Sequence, residues 1–302
     1  MSAVQAIFFS DEGLKRAFPT VSGATRADAR FTVGDTEIQI VWTTNVNTHG
    51  TATITKSEGA AVSSLVALDK SWDEFKTYAT GLDRARFIFR GQESNKWKLR
   101  TAYHRSGRAN LAKFMRQDVY GLFRHLIGST KHRFNLQDPN DYAAFLALVQ
   151  HHGYPTPLLD WTLSPFIAAY FAFRASSLRK APTDAKVRIF VFNAFEWNRI
   201  FERAPSLAPA FLHLTVLEPL ALDNPRVLPQ QGYSLVTNIE DLEWYIAMKE
   251  AGVQKFLTAI DIPASERPRV LRELELMGIN GGSLFPGLDG VCLQLKERFF
   301  EI

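Results

Sequence analysis

The chain has 302 residues, 46% of them apolar and 22% charged, with a formal net charge of +4. That balance excludes an intrinsically disordered chain and permits contact with polyanions without requiring it. The single cysteine, Cys292, rules out an intramolecular disulfide and a cysteine-cluster zinc site. No run approaches the ~20 apolar residues of a membrane helix, and the start lacks a basic-then-apolar leader, so a cytoplasmic protein without a membrane partner is expected.

The first readable elements are β. "ARFTV", "TEIQIVW" and "TATITK" alternate apolar and polar residues between the turn signals "GD" and "NVNTHG". This small unit is expected to end near Gly59. Ser71 is the N-cap candidate of a helix that stops before Gly81. "ARFIFRGQ" reads as a short strand ending in Arg90-Gly91-Gln92. The pattern from Asn110 to Ile127 is helical, and "PNDYAAFLALVQHHG" is a helix with Pro139 near its start and Gly153 at its stop.

"SPFIAAYFAFRASS" is a helix with Ser164 as N-cap and Pro165 in its first turn. "KVRIFVFNA" is a strand, and "FLHLTVLEPL" and "RVLPQQGYSLVT" look extended. "IEDLEWYIAMKEAG" is helical, "VQKFLTAIDIP" a strand, and "SERPRVLRELELMG" a helix closed by Gly278. A turn and a short helix follow. The order predicts an α+β fold, a mixed sheet with flanking helices plus a small N-terminal β unit. The expected division is 1–66 for the β-rich region and 67–302 for the main domain.

Four stretches carry candidate chemistry. In "FIFRGQ", a strand end presents Arg90, which can hold a phosphate or carboxylate through two parallel hydrogen bonds. Gly91 lets a ligand or another backbone approach. The plainer alternative is a buried Arg90 paired with a carboxylate such as Asp160.

In "QHHGYPTPLLDW", the adjacent histidines point to different sides of a helix end and no metal-ligand spacing is present, so no metal is expected. His152 is a candidate acid/base residue, or only a helix-terminal histidine near the last carbonyls. In "DWTLSPF", Asp160, Thr162 and Ser164 alternate as a polar face before a helix start. A cap accounts for Ser164 alone, and a helix start is also an anion site. In "RVLPQQGYSL", Gln230, Gln231 and Gly232 lie between extended segments, as a site or as a surface turn. The common NTPase, dinucleotide, zinc-protease and hydrolase motifs are absent.

Together "FIFRGQESNKWKLRTAYHR", "QHHGYPTPLLDWTLSPFIAAYFAF", "RVLPQQGYSL" and "IDIP…RVLRELELMGINGGSLFPGLDG" resemble the FRG domain family, named for its Phe/Tyr-Arg-Gly motif. The resemblance spans roughly Ser71 to Gly290. It implies that Arg90, Gly91, His152, Gly153, Asp160 and Ser164 belong to the family's pattern.

A weaker likeness is to arginine-type ADP-ribosyltransferases, which implies an ADP-ribosyltransferase-like core and NAD as substrate. "FRGQ" is similar to their NAD-gripping Arg-Gly strand. "DWTLSPFIAAYFA" is similar to their Ser-Thr-Ser strand and helix, and "VLPQQGYS" stands where their catalytic Gln/Glu-x-Glu would be. This likeness implies catalytic roles for Arg90, His152, Asp160 and Gln231. It implies NAD contacts from Arg90, Gly91, Gln92, Thr162, Ser164 and Tyr170, with Trp161 as the other candidate ring. Gln230 or Gln231 replaces the expected carboxylate, so Asp160 or Glu218 would supply the charge that cleavage of the nicotinamide–ribose bond needs. The expected function is an NAD-consuming toxin or defence effector acting on a protein or nucleic-acid target. The alternative is a ligand- or nucleic-acid-binding module without turnover.

Overall fold

A computed structural model describes residue 24 and residues 26–34, 37–55, 62–83, 85–204, 207 and 211–301. The chain divides into two compact units, Met1–Ala60 and Ala61–Ile302. Among the described residues no helix is long and apolar enough to cross a membrane.

The described part of the first unit is an antiparallel meander of β1 (Ala27–Val33), β2 (Glu37–Thr44) and β3 (His49–Thr55). Alternation along β2 sets its register, and Asn47, with φ of 61°, takes the left-handed position in the turn to β3. Trp42 faces Gly50 across the β2–β3 pair and its indole lies where a Cβ at Gly50 would be, so the ring covers the bare backbone. The expected end near Gly59 lies outside the described residues.

The second unit is built on a seven-stranded sheet of order β4-β10-β7-β5-β6-β9-β8. The strands are β4 (Leu68–Asp69), β5 (Phe87–Gln92), β6 (Leu158–Thr162), β7 (Lys186–Asn193), β8 (Leu214–Leu217), β9 (Gly232–Thr237) and β10 (Leu257–Pro263). Only β4 and β10 run parallel; the other neighbours are antiparallel, giving the mixed sheet of an α+β fold.

The two-residue period of β7 divides the core between the two faces. Val187, Ile189 and Val191 pack with Trp72, Phe75 and the helices Pro165–Phe173 and Arg267–Leu276. Phe190 and Phe192 pack on the other face with Trp161, Trp197, Leu235 and Tyr245. A third cluster joins helix Pro139–His151 to Tyr103, Leu111 and Phe114.

The expected caps form. Ser71 and Glu74 make a reciprocal capping box, and Ser164 accepts from the Ile167 N–H with Pro165 opening the helix behind it. Gly153, with φ of 89°, stops helix Pro139–His151. Two extended readings are shorter than the pattern implied. "FLHLTVLEPL" forms a strand only at Leu214–Leu217, and residues 225–231 are a turn rather than strand, because Gln231 sits at φ of 47°. The helix from 111 to 126 contains a π-helical stretch, Phe114–Val119, inside the expected helical span.

Candidate functional site

Strands β5 and β6 are registered at Phe89↔Thr162 alone among the described residues. Beyond that pair they part, while β5 stays laddered to β7 over Phe87–Gln92 and β6 to β9 along its length. A cavity of about 720 Å³ lies at this parting, lined by residues of both strands.

The Phe-Arg-Gly triplet divides its tasks by strand alternation. Phe89 packs in the core beneath helix Pro165–Phe173. Gly91 faces the same helix: a Cβ there would stand 1.9 Å from the Ala168 carbonyl oxygen and 2.7 Å from the Ala172 nitrogen. The glycine therefore admits a backbone, and that backbone is the helix. Arg90, between them, crosses the parting and donates from Nη1 to the Asp160 carbonyl at 2.6 Å. Its Nε is buried without an acceptor. Burial pulls the Arg90 pKa down to about 10, opposed by the charge of Asp160 and reinforced by that of Arg105. It stays protonated at neutral pH in a setting that solvates it poorly.

The cavity wall carries six basic residues, Arg90, Lys98, Arg100, Arg105, Arg174 and Arg226, against two acidic ones, Glu93 and Asp160. Lys98 pairs with Asp241 and Arg100 with Glu240. The other four arginines form no ion pair among the described residues. Arg105 donates to the Arg100 carbonyl at 2.9 Å, and Arg226 to the His151 carbonyl at 2.7 Å. Arg174 lies over the rings of Phe171 and Phe285. Three partly exposed rings, Trp97, Phe171 and Phe285, complete the wall. Trp161 Nε1 is buried without an acceptor.

The structure brings together Arg90, Gly91, Gln92, Asp160 and Thr162 from the sequence-derived set, with Trp161 and Gln230. Gln92 is buried and donates to the Trp97 carbonyl, and Thr162 donates to the Gln230 carbonyl, so both brace the wall. The Asp160 carboxylate is exposed and accepts from Gln150.

The remaining candidates lie off the cavity wall. Ser164 caps its helix. Tyr170 is buried and donates to Glu297, while its neighbour Phe171 lines the wall. His152 is an exposed helix end, and His151 lines the wall instead, its Nδ1 2.8 Å from Asn224 Oδ1. The Gln231 carbonyl accepts from the Leu163 N–H. Glu218 lies near Tyr233, whose pKa is raised to about 12 by burial and then by the nearby carboxylate. Among the described residues no three His, Cys, Asp or Glu side chains gather as metal ligands.

Sequence reasoning passed over Lys98, Arg100, Arg105, Arg174, Arg226 and Phe285. The available signal was the density of basic residues in "KWKLRTAYHR", read only as part of a motif.

Residues 85–181, roughly a third of the chain, match the family model described as the FRG domain. The match includes Arg90, Asp160 and Arg174 and excludes Arg226, Gln230 and Phe285. Comparison with curated proteins and with solved structures found no match.

Proposed function

We propose that the FRG domain binds a phosphate-bearing, ring-containing ligand of the nucleotide class, with Arg90 as its anchor. One observation carries this reading: four arginines without ion-pair partners among the described residues line a cavity with three partly exposed aromatic rings, Trp97, Phe171 and Phe285. Uncompensated guanidiniums in a partly desolvated wall favour an anion, and bidentate geometry favours a phosphate or carboxylate. The rings supply stacking surface for a planar group. The buried, unpartnered Nε–H of Arg90 adds to a wall that has six basic residues against two acidic ones. Such a cavity suits a ligand with an acceptor-rich end and a flat end.

Trp97 and Trp161 line the cavity, so intrinsic fluorescence can follow binding. Titration with AMP, GMP and UMP, beside the parent nucleosides, tests the reading. Saturable quenching by the nucleotides that Arg90→Ala abolishes is the expected result. Equal weak quenching by nucleotides and nucleosides would remove the anion anchor.

A second reading is NAD cleavage by an ADP-ribosyltransferase-like effector of toxin or defence type. It is favoured by the adjacency of β5, β6 and β9, which carry or adjoin the three stretches the likeness singled out. Here Arg90 would hold the diphosphate and Asp160 would be the carboxylate nearest the ribose. Release of nicotinamide from NAD by wild type, absent in Asp160→Asn, is its test.

A further inference from the structure

We propose that Arg174 and Arg226 form a second anion subsite around Phe285, so that the ligand is a nucleotide with at least two phosphoryl groups, one on Arg90 and Arg105 and the other on this pair. The inference rests on the nucleotide reading of the cavity and specifies its ligand.

Three separate parts of the chain meet here. Arg174 is the C-cap of helix Pro165–Phe173, Arg226 lies in the turn before β9, and Phe285 follows helix Gly281–Leu284. The guanidinium carbon of Arg174 is 5.0 Å from the Phe285 ring centroid and that of Arg226 is 5.4 Å from it. Two like charges thus share one ring. Neither forms an ion pair among the described residues; Arg226 is held by the neutral His151 carbonyl. The ring quadrupole attracts each cation but does not neutralise their mutual repulsion. A bound phosphoryl group would.

The ring itself is fixed. The Phe285 N–H donates to the Gly281 carbonyl at 3.0 Å, and Gln230 Nε2 donates to the Leu284 carbonyl at 3.0 Å, tying this segment to the turn that carries Arg226. Gly290 packs so closely that a Cβ there would stand 1.6 Å from the Phe285 carbonyl oxygen. The first cation pair differs in its surroundings, because Asp160 acts on both Arg90 and Arg105. Arg174 and Arg226 add to that pair a second one with no ion-pair partner among the described residues, gathered on one ring.

The test compares AMP with ADP, GMP with GDP and UMP with UDP by calorimetric titration of the full chain and of Arg226→Gln, Arg174→Gln and Phe285→Leu. Wild type should bind at least one diphosphate about tenfold more tightly than its monophosphate. Arg226→Gln and Arg174→Gln should each abolish that advantage by weakening the diphosphate about tenfold and the monophosphate much less, with unchanged melting temperatures showing that the variants are folded. Phe285→Leu, which keeps both cations, should reduce the advantage in part. Equal affinity for mono- and diphosphates in wild type overturns the second subsite and leaves the nucleotide reading standing. So does an arginine variant that weakens both forms equally. No binding of any of the six nucleotides overturns both.

Discussion

Arg90 donates to the backbone carbonyl of Asp160 and not to its carboxylate. The carboxylate is engaged by Gln150, whose own oxygen accepts from Thr156. The arginine is positioned by a neutral group, so its charge remains available to a ligand. Arg90→Ala should therefore weaken nucleotide binding by about 2–3 kcal/mol, the scale of a charge-assisted hydrogen-bond pair. Arg90→Lys should not restore it, because an ammonium cannot hold the carbonyl and a phosphate in the same fork. Calorimetry checks both; undiminished affinity in Arg90→Ala would dismiss the anchor.

Asp160→Asn separates binding from turnover. The side chain is exposed, so the melting temperature should be unchanged. Removing a negative charge beside Arg90 and Arg105 should raise anion affinity by about threefold in dilute buffer, and added salt should erase the difference. An NAD-cleaving site would instead lose nicotinamide release with little change in affinity. Parallel binding and nicotinamide assays distinguish the two.

Gly91→Ala tests the packing role of the motif's glycine. The added methyl meets helix backbone, which cannot swing aside as a side chain can. A loss of at least about 3 kcal/mol is expected, at the upper end of overpacking costs. Urea unfolding measures it; a variant of wild-type stability would show that strand and helix can separate freely.

Acid sensitivity should come partly from His104. Its ring is buried, Nδ1 lies 2.7 Å from the Thr101 hydroxyl and Nε2 has no partner. Burial, and then the charge of Arg100, pull its pKa from 6.5 to about 4. His213 is lowered as well, chiefly by burial. With the folded pKa below the unfolded one, the unfolded chain takes up the proton first on acidification. The stability is thus fully present above pH ~6.5 and is lost as pH falls toward ~4, by up to about 3 kcal/mol for His104. Urea midpoints across that window should fall in wild type and fall less in His104→Gln.

The two adjacent histidines should behave differently. His151 lines the cavity with Nδ1 bonded to Asn224, whereas His152 is exposed at the helix end. His151→Ala should weaken ligand binding severalfold, and His152→Ala should leave both binding and stability within about 0.5 kcal/mol of wild type. A ligand titration of both variants decides it; the reverse order would place the ligand elsewhere.

Local signals made much of this architecture legible. Ser71, Ser164, Pro165 and Gly153 mark helix ends through caps and left-handed backbone that act within a few residues, and the near-continuous apolar run of β7 declares a strand buried on both faces. The choice between His151 and His152, or between Tyr170 and Phe171, was not legible. Neighbours on a helix differ by ~100° in direction, and the helix Pro165–Phe173 is apolar nearly all round, so no polar side fixes its rotation. The left-handed backbone at Gln231, which ends the turn before β9, was not legible either. The meeting of Arg174, Arg226 and Phe285 depends on three segments more than fifty residues apart, which no local pattern encodes.

The parting of β5 and β6 bears on what can be inherited as a unit. The matched segment contains these two strands, and each leans on a partner outside it: β5 on β7, β6 on β9. Excised, residues 85–181 would keep the anchor and lose the platform that aims it. Variation outside the segment, at positions such as Arg226 and Phe285, would leave the anchor in place and change what it can hold. The anchor by itself therefore does not determine the ligand.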